Sequence, residues 1–222
     1  MEKRKTKSFL ILTSILCLLP LVFSLFVLEK LPDKIPIQWN LDGEVNTYGN
    51  TVLVAIGLPL LFFILNILVH VIVDNDPSNI KQVIVIKKVV SFILSLVSII
   101  IVPSILLSAL DYTINIIDIA VILVSVILIF VGNYLPKTRQ NYSMGIRMPW
   151  TLNDSENWKK THRFTGYLWT ITGYVLLQAN LFFMLVYKND PIKSTLLIIT
   201  ILIISVCPLS YSFLLYKKSK VQ

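Results

Sequence analysis

Residues 51–73 read TVLVAIGLPLLFFILNILVHVIV, a run of 23 residues without Asp, Glu, Lys or Arg. A helix needs about 20 mostly apolar residues to cross the hydrocarbon core of a bilayer. Comparable runs occur at 9–28, 89–110, 114–132, 168–187 and 194–216. These runs do not alternate polar and apolar residues, as strands of a bacterial-type membrane barrel would. The sequence therefore predicts an all-α, polytopic membrane protein with six transmembrane helices in a single membrane domain, residues 1–222.

The composition agrees with this class. Of the 222 residues, 55% are hydrophobic and 14% are charged, which is too apolar for a soluble core or for a disordered chain. The net charge of +8 would suggest nucleic-acid binding in a soluble protein. Here the basic residues are spread over several segments between spans, so we expect membrane lipids as surroundings and no direct nucleic-acid binding.

The distribution of Lys and Arg predicts the orientation. If the N-terminus is cytoplasmic, 16 of the 20 basic residues lie in segments on the cytoplasmic side. The exceptions are Lys30, Lys34, Lys188 and Lys193. Basic loops resist translocation, so we expect a multi-pass protein with both termini in the cytoplasm. The first apolar run is longer than the apolar part of a signal peptide, and we expect it to remain as an anchor.

Two polar segments are long enough to carry function: an extracellular one at 29–50 and a cytoplasmic one at 133–167. In the extracellular segment, Pro32 and Pro36 exclude a regular helix and Asp42-Gly43 marks a turn, so a compact, turn-rich loop is expected. Its carboxylates are Asp33, Asp42 and Glu44. They either bind a basic ligand or solvate the loop, and the sequence leaves both readings open.

The cytoplasmic segment divides near Pro149. Up to that residue, proline and glycine predict irregular structure. A helix can then begin at Asn153, which with Glu156 fits a capping box. Helical spacing places Trp158, His162 and Trp169 on one face and Lys159, Lys160 and Arg163 on the opposite side. This pattern predicts an amphipathic helix along the inner leaflet that turns into the fifth span, either as a binding surface or as a topological anchor only.

Both segments resemble a known bacterial family. Residues 31–50, LPDKIPIQWNLDGEVNTYGN, resemble the LPDxIPxHWNxxGxxD signature of a small uncharacterised domain that precedes the conserved half of SdpI-type proteins. The cytoplasmic segment resembles that half itself. Its matching residues are Asn133, Pro136, Gly145, Ile146, Arg147, Pro149, Trp150, Thr151, Trp158, Thr161, His162, Arg163, Gly166 and Trp169. Gln38 and Asn46 depart from the signature, where the family often has His and Asp.

The resemblance implies an immunity and signalling protein of the bacterial cell membrane. Such a protein gives resistance to a secreted toxic peptide and holds a cognate ArsR-type repressor at the membrane. The implied ligand-binding residues of the extracellular segment are Pro32, Asp33, Pro36, Trp39, Asn40 and Gly43. The implied partner-binding residues of the cytoplasmic segment are Asn133, Pro136, Gly145, Arg147, Pro149, Trp150, Trp158, Lys159, His162 and Arg163. No enzymatic activity, cofactor or metal is expected.

A second hypothesis is a small transporter that exports a peptide or a lipid-like solute. Spans 1–3 and 4–6 each contain a Leu-Pro pair followed by a long loop with a tryptophan, an order that suggests an inverted 3+3 repeat. Pro59, Pro103 and Pro208 lie within spans.

An enzyme ranks third. The chain has only His70 and His162, and it has no HExxH, GxSxG or phosphate-binding glycine loop. Asn66 and His70 share a helix face and suit either an ion path or interhelical hydrogen bonds. Ser91, Ser95 and Ser98, at helical spacing, predict a close-packing face.

Overall fold

The computed structural model describes the backbone of residues 2–40, 43–75, 81–187 and 190–221, and the side chains of 8–40, 43–75, 87–186 and 191–220. Within these ranges the chain forms seven α-helices: α1 (Glu2–Val27), α2 (Thr51–Asp74), α3 (Lys81–Ala109), α4 (Ile116–Tyr134), α5 (Pro149–Leu152), α6 (Ser155–Phe182) and α7 (Asp190–Val221). Short 3-10 turns follow α1 and α4, and a π turn at Phe183–Tyr187 follows α6.

Six helical segments of the described chain are long and apolar enough to cross a membrane. They are Ser8–Lys30, Thr51–Asp74, Lys87–Ala109, Ile116–Lys137, Ser155–Val186 and Pro191–Lys220. The prediction of an all-α protein with six transmembrane helices is confirmed. Hydropathy is a local property of the chain, and for this reason the number of spans could be read from the sequence alone.

The segment between α1 and α2 contains a β-hairpin that the sequence reading did not predict. Strand β1 (Lys34–Trp39) pairs antiparallel with β2 (Val45–Asn50), from Lys34 opposite Asn50 to Trp39 opposite Val45. Pro36 is tolerated because a two-stranded ribbon has free edges on which a missing N–H is harmless. Gly43 has φ of 83°, the left-handed conformation that a turn favours. Asp42 lies outside the described residues.

The chain divides into two compact units. The first contains the described residues up to Asn75 together with Ile84–Ala120, and the second contains residues 81–83 together with the described residues from Val121 onward. The first unit therefore holds α1, the hairpin, α2 and most of α3, whereas the second holds most of α4 with α5, α6 and α7. The grouping in threes is the one that an inverted repeat requires, and the repeat itself stays a prediction.

In the first unit, hydrogen bonds join the helices across their polar faces. Ser95 Oγ donates to the carbonyl of Thr13 at 3.0 Å, and Ser98 Oγ donates to that of Cys17 at 2.9 Å. The prediction that these serines lie on a packing face is confirmed. Lys87 differs from the sequence prediction, which leaves it outside the span at 89–110, in the cytoplasmic segment before it. It lies within α3, and its side chain is only 1% exposed.

In the second unit, glycines allow α4 and α6 to approach closely. A Cβ on Gly132 would lie 2.7 Å from the backbone nitrogen of Thr170, and one on Gly166 would lie 2.4 Å from Pro136 Cγ. A Cβ on Gly173 would lie 2.9 Å from the carbonyl oxygen of Ser125. Small residues at such crossings let helix backbones pack tightly in lipid, where van der Waals contact drives association.

Candidate functional site

The hairpin is anchored on the first turn of α2. The hydroxyl of Thr51 donates to the carbonyl of Pro32, and the Thr51 backbone N–H donates to the Asp33 carbonyl at 3.2 Å. Asn50 caps α2, because its Oδ1 accepts from the N–H of Leu53 at 3.1 Å. These contacts fix the polar strands at a defined place on the helix end, as a preorganised binding loop requires.

The six residues predicted to bind a ligand near the hairpin divide by environment. Pro36 is buried and Trp39 is half-buried, whereas Pro32 and Asp33 are exposed. Asn40 and Gly43 belong to the turn. Asn40 Oδ1 accepts from the N–H of Glu44 at 2.9 Å, and the N–H of Gly43 donates to the Asn40 carbonyl at 3.2 Å. Asn40 and Gly43 thus stabilise the turn, and their role in binding stays a prediction.

A cavity of about 350 Å³ lies beside the hairpin turn. It is lined by Trp39 and Gly43 on one side and by residues 112–117 on the other, with Tyr112 exposed at its edge. Asn115 holds the second wall in place, since its Oδ1 accepts from the N–H groups of Ile117 and Asp118 at the start of α4. The sequence reading missed residues 112–117, because nothing in the local pattern links them to a strand turn some 70 residues earlier.

The second candidate site is the motif segment, which we define as residues 133–166. At its centre lies His162, which is 1% exposed. Its Nδ1 is 2.8 Å from the carbonyl of Trp158 and donates to it, while Nε2 accepts from the N–H of Ile146 at 3.0 Å. The Trp158 and His162 rings stack at a centroid distance of 3.9 Å. The histidine thus joins the loop before α5 to α6.

The hydrogen bond between Ile146 and His162 requires a glycine at position 145. Its φ is +116°, and a Cβ there would lie 2.2 Å from His162 Nε2 and 3.1 Å from a ring carbon of Trp158. The indole N–H of Trp158 in turn donates to the carbonyl of Thr138 at 3.1 Å. Gly145, Trp158 and His162 were predicted to meet a partner, and the structure places them in an architectural cluster that shapes the loop.

Three polar side chains stabilise the rest of the loop. The sequence analysis did not predict them as site residues. Gln140 Nε2 donates to the carbonyls of Thr151 and Leu152 at 2.9 and 2.6 Å. Asn141 Oδ1 accepts from the backbone N–H of Met144 at 2.8 Å. The Thr151 hydroxyl donates to the Ile146 carbonyl at 2.6 Å. Short-range Asx turns and such loop closures leave no periodic signal, so the sequence reading described this stretch only as irregular.

Helix α7 contributes a row of acceptors to the motif segment and the adjoining part of α6. The indole N–H of Trp150 donates to the Ser212 hydroxyl at 3.0 Å, and Asn157 Nδ2 donates to the Ser212 carbonyl at 3.1 Å. The indole N–H of Trp169 donates to the Ile204 carbonyl at 3.1 Å. Pro208 has no N–H to bond the Ile204 carbonyl four residues earlier, so the indole satisfies a carbonyl that the proline leaves free.

The start of α6 differs from the sequence prediction in two ways. The N-cap is Asp154, whose carboxylate accepts from the N–H groups of Glu156 and Asn157 at 2.8 and 3.1 Å. Asn153 instead ends the one-turn helix α5. The expected turn between an interfacial helix and the fifth span is also absent, since Ser155–Phe182 is one helix. The aromatic face does not need to lie along the lipid surface, because Trp158 and His162 are buried against the loop that precedes α5.

The remaining predicted partner-binding residues are accessible. Asn133, Arg147, Pro149, Lys159 and Arg163 are exposed. Arg147 also lines an open cavity of about 490 Å³, bounded by the 145–148 stretch, Trp169 and residues 204–209 of α7. The exposed guanidinium and ammonium groups form the surface on which an acidic partner can be bound. Their role in partner binding stays a prediction.

Metal binding has no support in the described residues. Among them, no group of three or more His, Cys, Asp or Glu side chains is placed to hold an ion.

These features define a multi-pass helical membrane protein with a short hairpin and a structured motif segment. Residues 137–212 match the SdpI/YfhL protein family, and residues 15–63 match a domain of unknown function, DUF1648. The chain is 27% identical over 183 residues to the Immunity protein SdpI of Bacillus subtilis (strain 168), covering 78% of this chain and 81% of that protein. No solved structure matches at a significant level. These matches support membership of the SdpI family, which the motifs predicted.

Proposed function

We propose that this chain is an immunity protein of the bacterial cell membrane that protects its host from a secreted toxic peptide, without an enzymatic step. The observation that carries the proposal is the similarity to an immunity protein along 78% of the chain. We further propose that both termini and the motif segment are cytoplasmic and that the hairpin is extracellular. The location of 16 of the 20 basic residues in the segments assigned to the cytoplasm supports this orientation.

The hairpin end is proposed to bind the toxic peptide. Trp39 and Tyr112 give the cavity two aromatic surfaces against which a side chain of the peptide can pack. The Glu44 carboxylate is exposed in the hairpin turn and that of Asp33 just before β1, and both suit a peptide with basic groups. The hydrogen bonds that tie the hairpin to Thr51 reduce the ordering that binding would otherwise require.

The motif segment is proposed to bind a regulator, an ArsR-type repressor held at the membrane when toxin is present. Arg147, Lys159 and Arg163 supply exposed positive charge, whereas Trp158 and His162 act by shaping the loop that presents Arg147. For toxin to control this capture, it must bind more tightly to the arrangement of the protein that exposes this surface.

The grouping of the helices in threes is compatible with the export hypothesis but does not by itself indicate transport. Transporter binding sites are typically formed by discontinuous helices. Here α2, α3 and α7 continue through Pro59, Pro103 and Pro208.

Survival under toxin tests the proposed immunity. The chain is expressed in a toxin-sensitive bacterium, which is then challenged with the killing peptide against which SdpI-type proteins protect. We expect protection by the unmodified chain and a loss of at least tenfold in survival for Trp39→Ala. Tyr48→Ala is the matched control, because Tyr48 is an aromatic residue of the same hairpin that is 57% exposed and lies outside the cavity lining. If the unmodified chain gives no protection, the proposal is wrong.

Capture of the repressor is tested separately by membrane fractionation with and without toxin. Arg147→Ala and the double variant Lys159→Ala, Arg163→Ala are expected to release the repressor into the soluble fraction while insertion is unchanged. Lys218→Ala removes an exposed positive charge from α7 as the control. Capture that is equal in all variants would exclude the motif segment as the binding surface.

A further inference from the structure

Three side chains inside the first unit bury polar atoms that find no hydrogen-bond partner among the described residues. They are Asn66 through its Oδ1, His70 through both ring nitrogens, and Ser91 through its hydroxyl. Asn66 and Ser91 are 0% exposed and His70 is 2% exposed. Leaving a buried polar group unsatisfied is strongly unfavourable, and an ionisable residue within a membrane span, such as His70, is by default a candidate functional residue. Because three such side chains occur in one small unit, we look for a single partner that could satisfy all of them.

The three side chains face a common interior. Asn66 points toward α1, since its Nδ2 donates to the hydroxyl of Thr13 at 3.1 Å. Ser95 on α3 reaches the same residue, and its hydroxyl lies 2.9 Å from the carbonyl of Ser91 one turn earlier. His70 lies one turn from Asn66 on the same face of α2. The unsatisfied atoms therefore line the space where α1, α2 and α3 meet.

One end of this space leads to charged groups. The His70 ring lies 6.3 Å from the ring of Phe9, and the ammonium of Lys88 lies 5.9 Å from that same ring. Lys87 is 1% exposed, and its Nζ is 2.6 Å from Asp74 Oδ1, whereas Asp74 is 59% exposed. The buried Lys87 ammonium therefore lies near the end of α2 that carries His70. Its carboxylate partner, Asp74, is in contact with solvent.

The other end of the unit is apolar. The buried cluster there consists of Ile35, Val54, Ala55, Val102, Ile105, Leu106 and Ile116. These apolar side chains fill the interior at the hairpin end of the unit.

We propose that Asn66, His70 and Ser91 line an internal hydrated site, entered from the Asp74–Lys87 end and closed by the apolar cluster, through which water and protons reach the His70 imidazole. Water matches the unsatisfied set. The Asn66 oxygen accepts, the Ser91 hydroxyl donates and accepts, and a neutral imidazole offers one donor and one acceptor. A buried water in proteins makes two to four such bonds. A metal cation fits less well, because the Lys87 ammonium lies close by.

The two histidines of the chain allow a test on the unmodified protein. The His70 ring has no hydrogen-bond partner among the described residues, whereas both ring nitrogens of the equally buried His162 are hydrogen-bonded. The exchange of the imidazole C2 hydrogen for deuterium, measured by mass spectrometry on the full chain in lipid nanodiscs, requires contact of the ring with water. We expect exchange at His70 to be at least tenfold faster than at His162. Equal rates at the two rings, or faster exchange at His162, would overturn the proposal.

Thiol reactivity gives a second measurement. In a Cys17→Ser, Cys207→Ser background, the Ser91→Cys variant is expected to react with a small hydrophilic methanethiosulfonate at least tenfold faster than Leu106→Cys. Leu106 is the matched control, since it is 0% exposed on the same helix but belongs to the apolar cluster. A Ser91→Cys variant that folds as the background does and reacts no faster than the control would contradict the proposal. If it does not fold, the histidine measurement decides.

Discussion

Gly145→Ala is expected to be the most damaging single-methyl addition in the motif segment. The glycine has φ of +116°, a conformation that residues with a side chain rarely adopt. The new Cβ would lie 2.2 Å from His162 Nε2, the atom that accepts the Ile146 N–H. The imidazole cannot move away easily, because it stacks on Trp158 and its other nitrogen donates to the Trp158 carbonyl.

Three contributions determine the size of the effect. Backbone strain at this φ is about 1–3 kcal/mol. Loss of the hydrogen bond between Ile146 and His162 adds about 0.5–1.5 kcal/mol. Overpacking against the fixed rings adds about 1–3 kcal/mol. The free energy of unfolding should therefore fall by about 3–7 kcal/mol, which is at least a hundredfold in the ratio of folded to unfolded protein.

Unfolding in detergent micelles, followed by tryptophan fluorescence, measures this change. Gly57→Ala is the control, because a Cβ at that helical position would meet only Leu53 Cγ at 3.9 Å. It should be neutral or stabilising by up to about 1 kcal/mol, since alanine favours a helix over glycine. If Gly145→Ala unfolds within about 0.5 kcal/mol of Gly57→Ala, the scale of ordinary surface substitutions, the assignment of His162 as the loop anchor is refuted.

The same unfolding measurement tests two further predictions. Asp154→Ala should lower stability by about 1 kcal/mol through loss of the α6 N-cap, and Asn153→Ala should change it much less; the reverse order would contradict the assigned cap. Trp169→Phe should cost about 1–3 kcal/mol, because the Ile204 carbonyl then loses the indole donor and Pro208 cannot supply another. Adding Pro208→Ala should recover part of this loss by restoring a helical N–H donor, and no recovery would contradict the explanation.

The spans could be predicted from sequence because each depends on a local run of apolar residues. The hairpin could not, since its strands are short, one contains Pro36, and their pairing depends on contacts with α2 through Ile35 and Thr51. The Asp42-Gly43 turn was the part of this region with a local signal, and Gly43 has the positive φ that a turn favours.

The motif segment shows the limit of reading a helix by its periodicity. The spacing correctly placed Trp158 and His162 on one face, but periodicity does not say whether that face meets lipid, a partner or the chain's own loop. The structure buries it under Gly145 and the Thr138 carbonyl. Lys87 was misjudged for a related reason: a lysine at the edge of an apolar run gives no sign of a carboxylate partner 13 residues away on another helix.

The orientation of the hairpin and the motif segment on opposite sides of the membrane is the claim on which the proposed function rests. Labelling of intact cells with a membrane-impermeant thiol reagent tests it most directly, using Asn46→Cys and Ser155→Cys separately in a background without Cys17 and Cys207. Both positions are exposed in the structure. We predict that the variant at 46 is labelled in intact cells and that the variant at 155 is labelled only after lysis. Labelling at 155 but not at 46 in intact cells would contradict the proposed orientation, and with it the assignment of toxin to the hairpin and repressor to the motif segment.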